Sequence, residues 1–136
     1  MAANQTVPTG ADVAAFISTI DDEIRRTQAA LLVELMSGVT GEPPAMWGTS
    51  IVGFGSRHEV YASGREVDSP RVAFAPRKAQ SVLYLSGGFD RYQDLLPRLG
   101  RYSTGKACLY LKKVADADPG ALREVVRRSY QWSAAD

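Results

Sequence analysis

The stretch from Thr49 to Ser86, TSIVGFGSRHEVYASGREVDSPRVAFAPRKAQSVLYLS, decides how this chain folds. Within it "TSIVGF", "HEVYAS", "RVAFAP" and "QSVLYLS" are short and rich in β-branched and aromatic residues, the composition that suits a pleated, half-buried surface. The connectors "GS", "GREVDSP" and "RKA" are too short for crossover helices. Short connections favour hairpins, so the stretch is read as an antiparallel meander of four strands.

On the N-terminal side the texture is helical. Val13, Phe16, Ile17 and Ile20 recur at the spacing of one helix face, which predicts a helix from Asp12 to about Ile20. Ile24, Leu31, Leu32, Leu35 and Met36 predict a second helix from Asp21 to about Val39, with Asp21, Asp22 and Glu23 suited to the positive end of its dipole. Gly38 or Gly41 can end it, and the two segments are either separate helices or one kinked rod. On the C-terminal side "FDRYQDLLPRLG" returns to helical spacing, with Pro97 placed to kink or split it. "ACLYLKKV" reads as a fifth strand, and Asp118-Pro119 opens a terminal helix whose face carries Leu122, Val125, Val126, Ser129 and Tyr130. The expected architecture is a two-layer α+β fold, an antiparallel sheet of about five strands with helices packed on one face. Residues 1–136 are read as a single domain with residues 1–10 flexible.

A chain of 136 residues can bury a core without disulfides or metals. Its hydrophobic content of 45% and charged content of 23% are ordinary for a globular protein. No apolar run spans a bilayer and the start lacks a signal-peptide pattern, so a cytoplasmic location is expected, with no membrane partner. Cys108, the single cysteine, is expected as a buried inert thiol in an apolar strand. The formal charge of +1 hides a basic middle between mildly acidic ends. That split is too weak for a nucleic-acid footprint and suits a local anion site instead.

"GRYSTGKA", Gly100 to Ala107, comes within one residue of a phosphate-binding P-loop. A P-loop needs a strand before it and a helix after it, because loop amides and a helix N-terminus together hold the phosphates. Here the helix comes first and the strand second, and Ala107 replaces the metal-binding hydroxyl. His58 is the only histidine and reads as a half-exposed strand residue. One cysteine and one histidine give no zinc-ligand spacing, so no metal ligand, catalytic residue or cofactor is assigned. Helix capping accounts for Asp21, Asp22 and Glu23 without a metal.

At "EPPAMWGTSIVGFG", "FAPRKAQSVLYL" and "LGRYSTGKACLYLKKVADAD" the chain resembles the YdhG-like family of bacterial domains of unknown function, over roughly residues 12–130. The resemblance implies a two-layer α+β fold with helices on one antiparallel sheet. Some relatives are described as frataxin-like iron chaperones, which makes iron binding a candidate by analogy. A frataxin-type surface is an acidic ridge, whereas the acidic residues here are interspersed with arginine.

If the first strand points up, the meander sends the third up and the fourth down, and the helix ending at Leu99 climbs back. The loop 100–106 then delivers the fifth strand from the top. Arg57, Arg77, Lys78, Arg101 and Lys106 would share one edge. Arg77 would offer a two-pronged contact, Lys78 and Lys106 point charges, and Ser103 or Thr104 a hydroxyl, beside free amides of the "RYSTG" loop. The expected function is therefore non-enzymatic binding of a small anionic ligand or a protein partner, with a homodimer left open. An iron-binding accessory protein and an enzyme of unrecognised type are the alternatives. Trp47 either seals the core or lines a pocket, and Lys106→Ala is expected to change stability by less than about 1 kcal/mol.

Overall fold

Asp12 accepts hydrogen bonds from the Ala14 and Ala15 amides and so opens α1, Val13–Ser18. Asp22 caps α2, Glu23–Thr40, in the same way through Ile24 and Arg25. The two helices are thus separate, and each begins at a carboxylate that satisfies otherwise orphaned amides. Gly41, not Gly38, ends α2: it turns to φ 73° and donates its amide to the Ser37 carbonyl, a geometry that disfavours any side chain. The computed structural model describes residues 12–60, 62–78, 80–85, 89–105 and 108–134. Residues 1–10, read as flexible, and Lys106 lie outside them.

Among the described residues eight strands follow: β1 Pro44–Trp47, β2 Ile51–Phe54, β3 Arg57–Val60, β4 Glu66–Ser69, β5 Val72–Pro76, β6 Ser81–Tyr84, β7 Ser103–Thr104 and β8 Cys108–Leu111. A 3-10 turn, Phe89–Tyr92, and α3, Leu96–Leu99, lie between β6 and β7, so the segment around Pro97 is split as its proline requires. A second 3-10 turn, Val114–Asp116, leads into α4, Pro119–Ala134. Six strands form one antiparallel sheet in the order β1-β2-β5-β6-β8-β7, while β3 and β4 pair only with each other. The fold is α+β in two layers. Val52, Phe54, Val72, Phe74, Leu83, Leu109 and Leu111 point from one sheet face into a core shared with Leu32 and Met36 of α2 and Leu122, Val125 and Val126 of α4.

The meander is corrected in two places. "GREVDSP" is not a connector but contains β4, which returns β3 as a separate ribbon of charged, largely exposed residues. Burying those charges in a two-sided sheet would be costly, and β5 pairs directly with β2 instead. One added strand reverses the parity of everything after it. Phe54 opposes Val72, so Arg57 leaves one end of the sheet and Arg77, beyond Pro76, leaves the other. The second correction concerns the crossover. The strand parallel to β6 after the helical segment is the two-residue β7, and β8 folds back between them antiparallel to both. "PAMW", which the sequence reading left without a strand, is an edge strand paired with β2.

Candidate functional site

Strand register identifies the end of the sheet at which basic side chains gather. Pro76 opposes Ser81, and Ser81 opposes Leu111, so Arg77 and Lys112 emerge at the same end, two strand spacings or roughly 10 Å apart. Ser103 opposes Tyr110, which continues the same register to bring Arg101 beside Lys112. At this point the structure has a cleft of about 560 Å³ lined by Arg101, Tyr102, Ser103, Tyr110, Lys112 and Lys113, with Gly100 and Asp116 completing it.

The backbone that carries these groups is pinned from below. The Arg25 guanidinium donates through Nη2 to the Lys112 carbonyl at 2.6 Å. Gln28, buried on α2, accepts the Val114 amide at 3.1 Å. These two contacts fix the chain on both sides of Lys113. Across the cleft, the Asp118 amide donates to the Leu99 carbonyl at 3.0 Å and ties the end of α3 to the start of α4. Tyr110 stands on the sheet face away from the helices, and Gly105 makes room for it, since a Cβ there would lie 2.8 Å from the Tyr110 hydroxyl. Neighbouring Cys108, ahead of burial, pushes the Tyr110 hydroxyl above its ordinary value of 10.0, so it remains a neutral donor. Cys108 itself is half-buried beside Tyr110 rather than sealed in the core, because β8 turns Leu109 and Leu111 toward the helices and leaves Cys108 and Tyr110 on the other face.

The cations of the cleft differ from those elsewhere. Arg128 is held by Asp94 and Glu124, Arg127 by Glu124, and Arg71 lies 3.9 Å from Glu42 with its guanidinium over the Tyr130 ring. Among the described residues no ion pair engages Arg101, Lys112 or Lys113, although Asp116 contributes one carboxylate to the lining. Three cations against one acid leave the cleft positive. Tyr102, 40% exposed, and Tyr110 add rings and hydroxyls, and Ser103 adds a third hydroxyl.

The residues singled out in the sequence are therefore only partly gathered. Ser103 lines the cleft, and Thr104 follows it on the exposed edge strand without lining it. Arg77 and Lys78 are exposed at the same end but outside the lining, and Arg77 donates to the hydroxyls of Ser50 and Tyr84. Arg57 is at the opposite end, 5.8 Å from the centroid of the Trp132 ring, because the extra strand β4 reversed the direction of β5 and so moved Arg77 away from it. Lys106 is outside the described residues, and an edge shared by Arg57 and Arg77 is not what the topology builds, since the two leave opposite ends of the sheet. Trp47 is core: it is 1% exposed, and its ring lies on Gly53, where a Cβ would come within 2.5 Å of it. The sequence reading passed over Lys112, Lys113, Tyr102 and Tyr110. For Tyr110 and the lysines the signal was "LYLKK", two consecutive lysines leaving an apolar strand in the basic part of the chain.

Two other clusters bear on chemistry. His58 on β3 sits between Asp68, 2.6 Å from Nδ1, and Glu66, 2.9 Å from Nε2. Hydrogen bonding to Asp68 first and Glu66 second raises its pKa above 6.5. It is exposed and on the ribbon, away from the cleft. Asp22 is occupied by its capping bonds, and among the described residues no group of three or more His, Cys, Asp and Glu side chains is arranged to hold a metal ion. No helix among them is long and apolar enough to cross a membrane. No family model, no curated protein and no solved structure matches the chain.

Proposed function

We propose that the protein is a non-enzymatic binding domain whose cleft at the Lys112 end of the sheet takes a small anionic ligand with a planar or aromatic part. The observation that carries this reading is the convergence of Arg101, Lys112 and Lys113 on one cleft with no ion-pair partner among the described residues. Arg101 supplies a planar fork suited to a carboxylate or phosphate, and the two lysines supply compact point charges. Tyr102 and Tyr110 offer ring surface and hydroxyl donors to the remainder of the ligand. Asp116 disfavours a bare, highly charged anion and accepts from a donor-bearing one. The iron-binding alternative has only the family resemblance behind it.

Thermal-shift titration with inorganic phosphate, nucleoside monophosphates and aromatic carboxylates tests the reading, because a ligand that binds only the folded state raises the melting temperature. At least one class should stabilise the wild type, and the shift should shrink as salt rises and screens exposed charges within about 8 Å. The Lys112→Ala/Lys113→Ala variant should fold with a stability change of about 1 kcal/mol or less, as for exposed positions, and lose the shift. Arg77→Ala should retain it. A panel without effect on the wild type, or a shift undiminished in the double variant, would remove the support for this site.

A further inference from the structure

Helix α2 carries an apolar stripe on its outer side. Ile24 is 63% exposed and Leu31 43% exposed, and Leu35 is half-buried. Their spacings of seven and four residues place them on one face together with Gly38. The stripe from Leu31 to Val39 is one wall of a second cleft, about 670 Å³, whose other wall is Val114, Ala115, Ala117 and the start of α4. Glu34 and Arg123 also line it, both exposed, and among the described residues neither has an ion-pair partner. An apolar strip rimmed by one free acid and one free base is complementary to itself.

We propose that this surface is the interface of a homodimer in which α2 of one copy packs antiparallel on α2 of the other, about a two-fold axis near Leu31. Ile24 and Gly38 lie seven residues to either side of Leu31, so the axis sets Ile24 of each copy opposite Gly38 of the other. Gly38 provides the space, since a Cβ there would meet nothing within 4 Å. The knob and the notch are the two ends of the same stripe. In a two-fold contact every pairing occurs twice, so Glu34 of each copy answers Arg123 of the other and the patch does not repel its own image. A ligand of a single charge sign would leave one of these groups unmatched. None of the residues lining the anion cleft takes part in this interface, so loss of anion binding would leave the dimer unaffected.

Sedimentation equilibrium of the full chain from about 1 to 500 µM tests it, a span that covers micromolar dissociation constants. The expected result is a reversible monomer–dimer equilibrium. Gly38→Leu fills the notch from a position where an added Cβ meets nothing within 4 Å and replaces a poor helix former, so it should melt no lower than the wild type while weakening the dimer at least about tenfold. Glu34→Arg and Arg123→Glu should each weaken it, and the two together in one chain should restore it. A chain monomeric throughout, a dimer indifferent to Gly38→Leu, or a charge exchange that fails to restore association would each overturn the proposal.

Discussion

Gly53 shows how a single missing side chain can hold a sheet face closed. It faces away from the helices, and the Trp47 ring lies against it from the neighbouring strand, with the Pro70 Cβ 2.7 Å from where its own Cβ would be. Gly53→Ala should therefore cost about 1–3 kcal/mol in chemical denaturation, the usual range for overpacking. A near-neutral result would mean that the indole shifts freely. His58 supplies a residue-scale pH dependence. Its folded pKa is raised by Asp68 and Glu66, so the pairing stabilises the ribbon fully below about 6.5 and is lost as pH rises through the folded value. Amide exchange in Arg57–Val60 and Glu66–Ser69 should quicken across that rise beyond its intrinsic pH dependence, and His58→Ala should abolish the extra step.

The terminal helix illustrates what an element gains from its ends and its flank. Asp118 accepts the Ala121 amide at 2.9 Å with Pro119 at the first helical position, so Asp118→Ala should cost about 1 kcal/mol of stability. Further along, Glu124 bonds Arg127 and Arg128, and Arg128 reaches Asp94 before α3. The Arg127 contact, ahead of the Arg128 contact, lowers the Glu124 carboxyl from 4.5 to about 2. Stability from this group is present above its unfolded pKa of about 4.5 and is lost as pH falls towards 2. Melting of wild type and Glu124→Gln should differ at neutral pH and converge through that acid window. The β3–β4 ribbon is an element of the opposite kind, held by its own pairing and connected to a sheet that closes without it.

For the whole molecule this independence is directly testable. Because β2 pairs with β5 and the ribbon sits outside the sheet, replacing residues 58–68 by a two-residue Asn-Gly turn should leave a chain that still melts cooperatively. Broad, non-cooperative melting would show that the ribbon helps to hold the core. Two clefts lie outside that core on either side of the segment 113–117, with no lining residue in common: a basic cleft where β7, β8 and the end of α3 meet, and an apolar groove between α2 and α4. Both are built at places where the chain changes direction, and both rely on α2, which pins the cleft backbone through Arg25 and Gln28 and walls the groove with Leu31 and Leu35.

By itself the sequence determined the elements whose signals are local. Helix starts at Asp12 and Asp118, the start of α2 to within one residue (Asp21 read, Asp22 found), the strands of "SIVGF", "RVAFAP" and "SVLYL", the split at Pro97 and the two-layer class follow from periodicity, capping carboxylates and proline, which act within a few residues. Tertiary structure alone decided the short strands and what they do to direction. Glu66–Ser69 and Ser103–Thr104 lack a strong strand composition and become strands only because a partner supplies their hydrogen bonds. Each one reverses the chain, so the end at which Arg77 or Lys112 emerges depends on a count that local signals do not contain. Ser103 and Arg101 were legible as members of a basic loop, but their convergence with Lys112 and Lys113 required the antiparallel return of β8, a pairing between segments whose register is set by the burial of Leu109 and Leu111 against the helices.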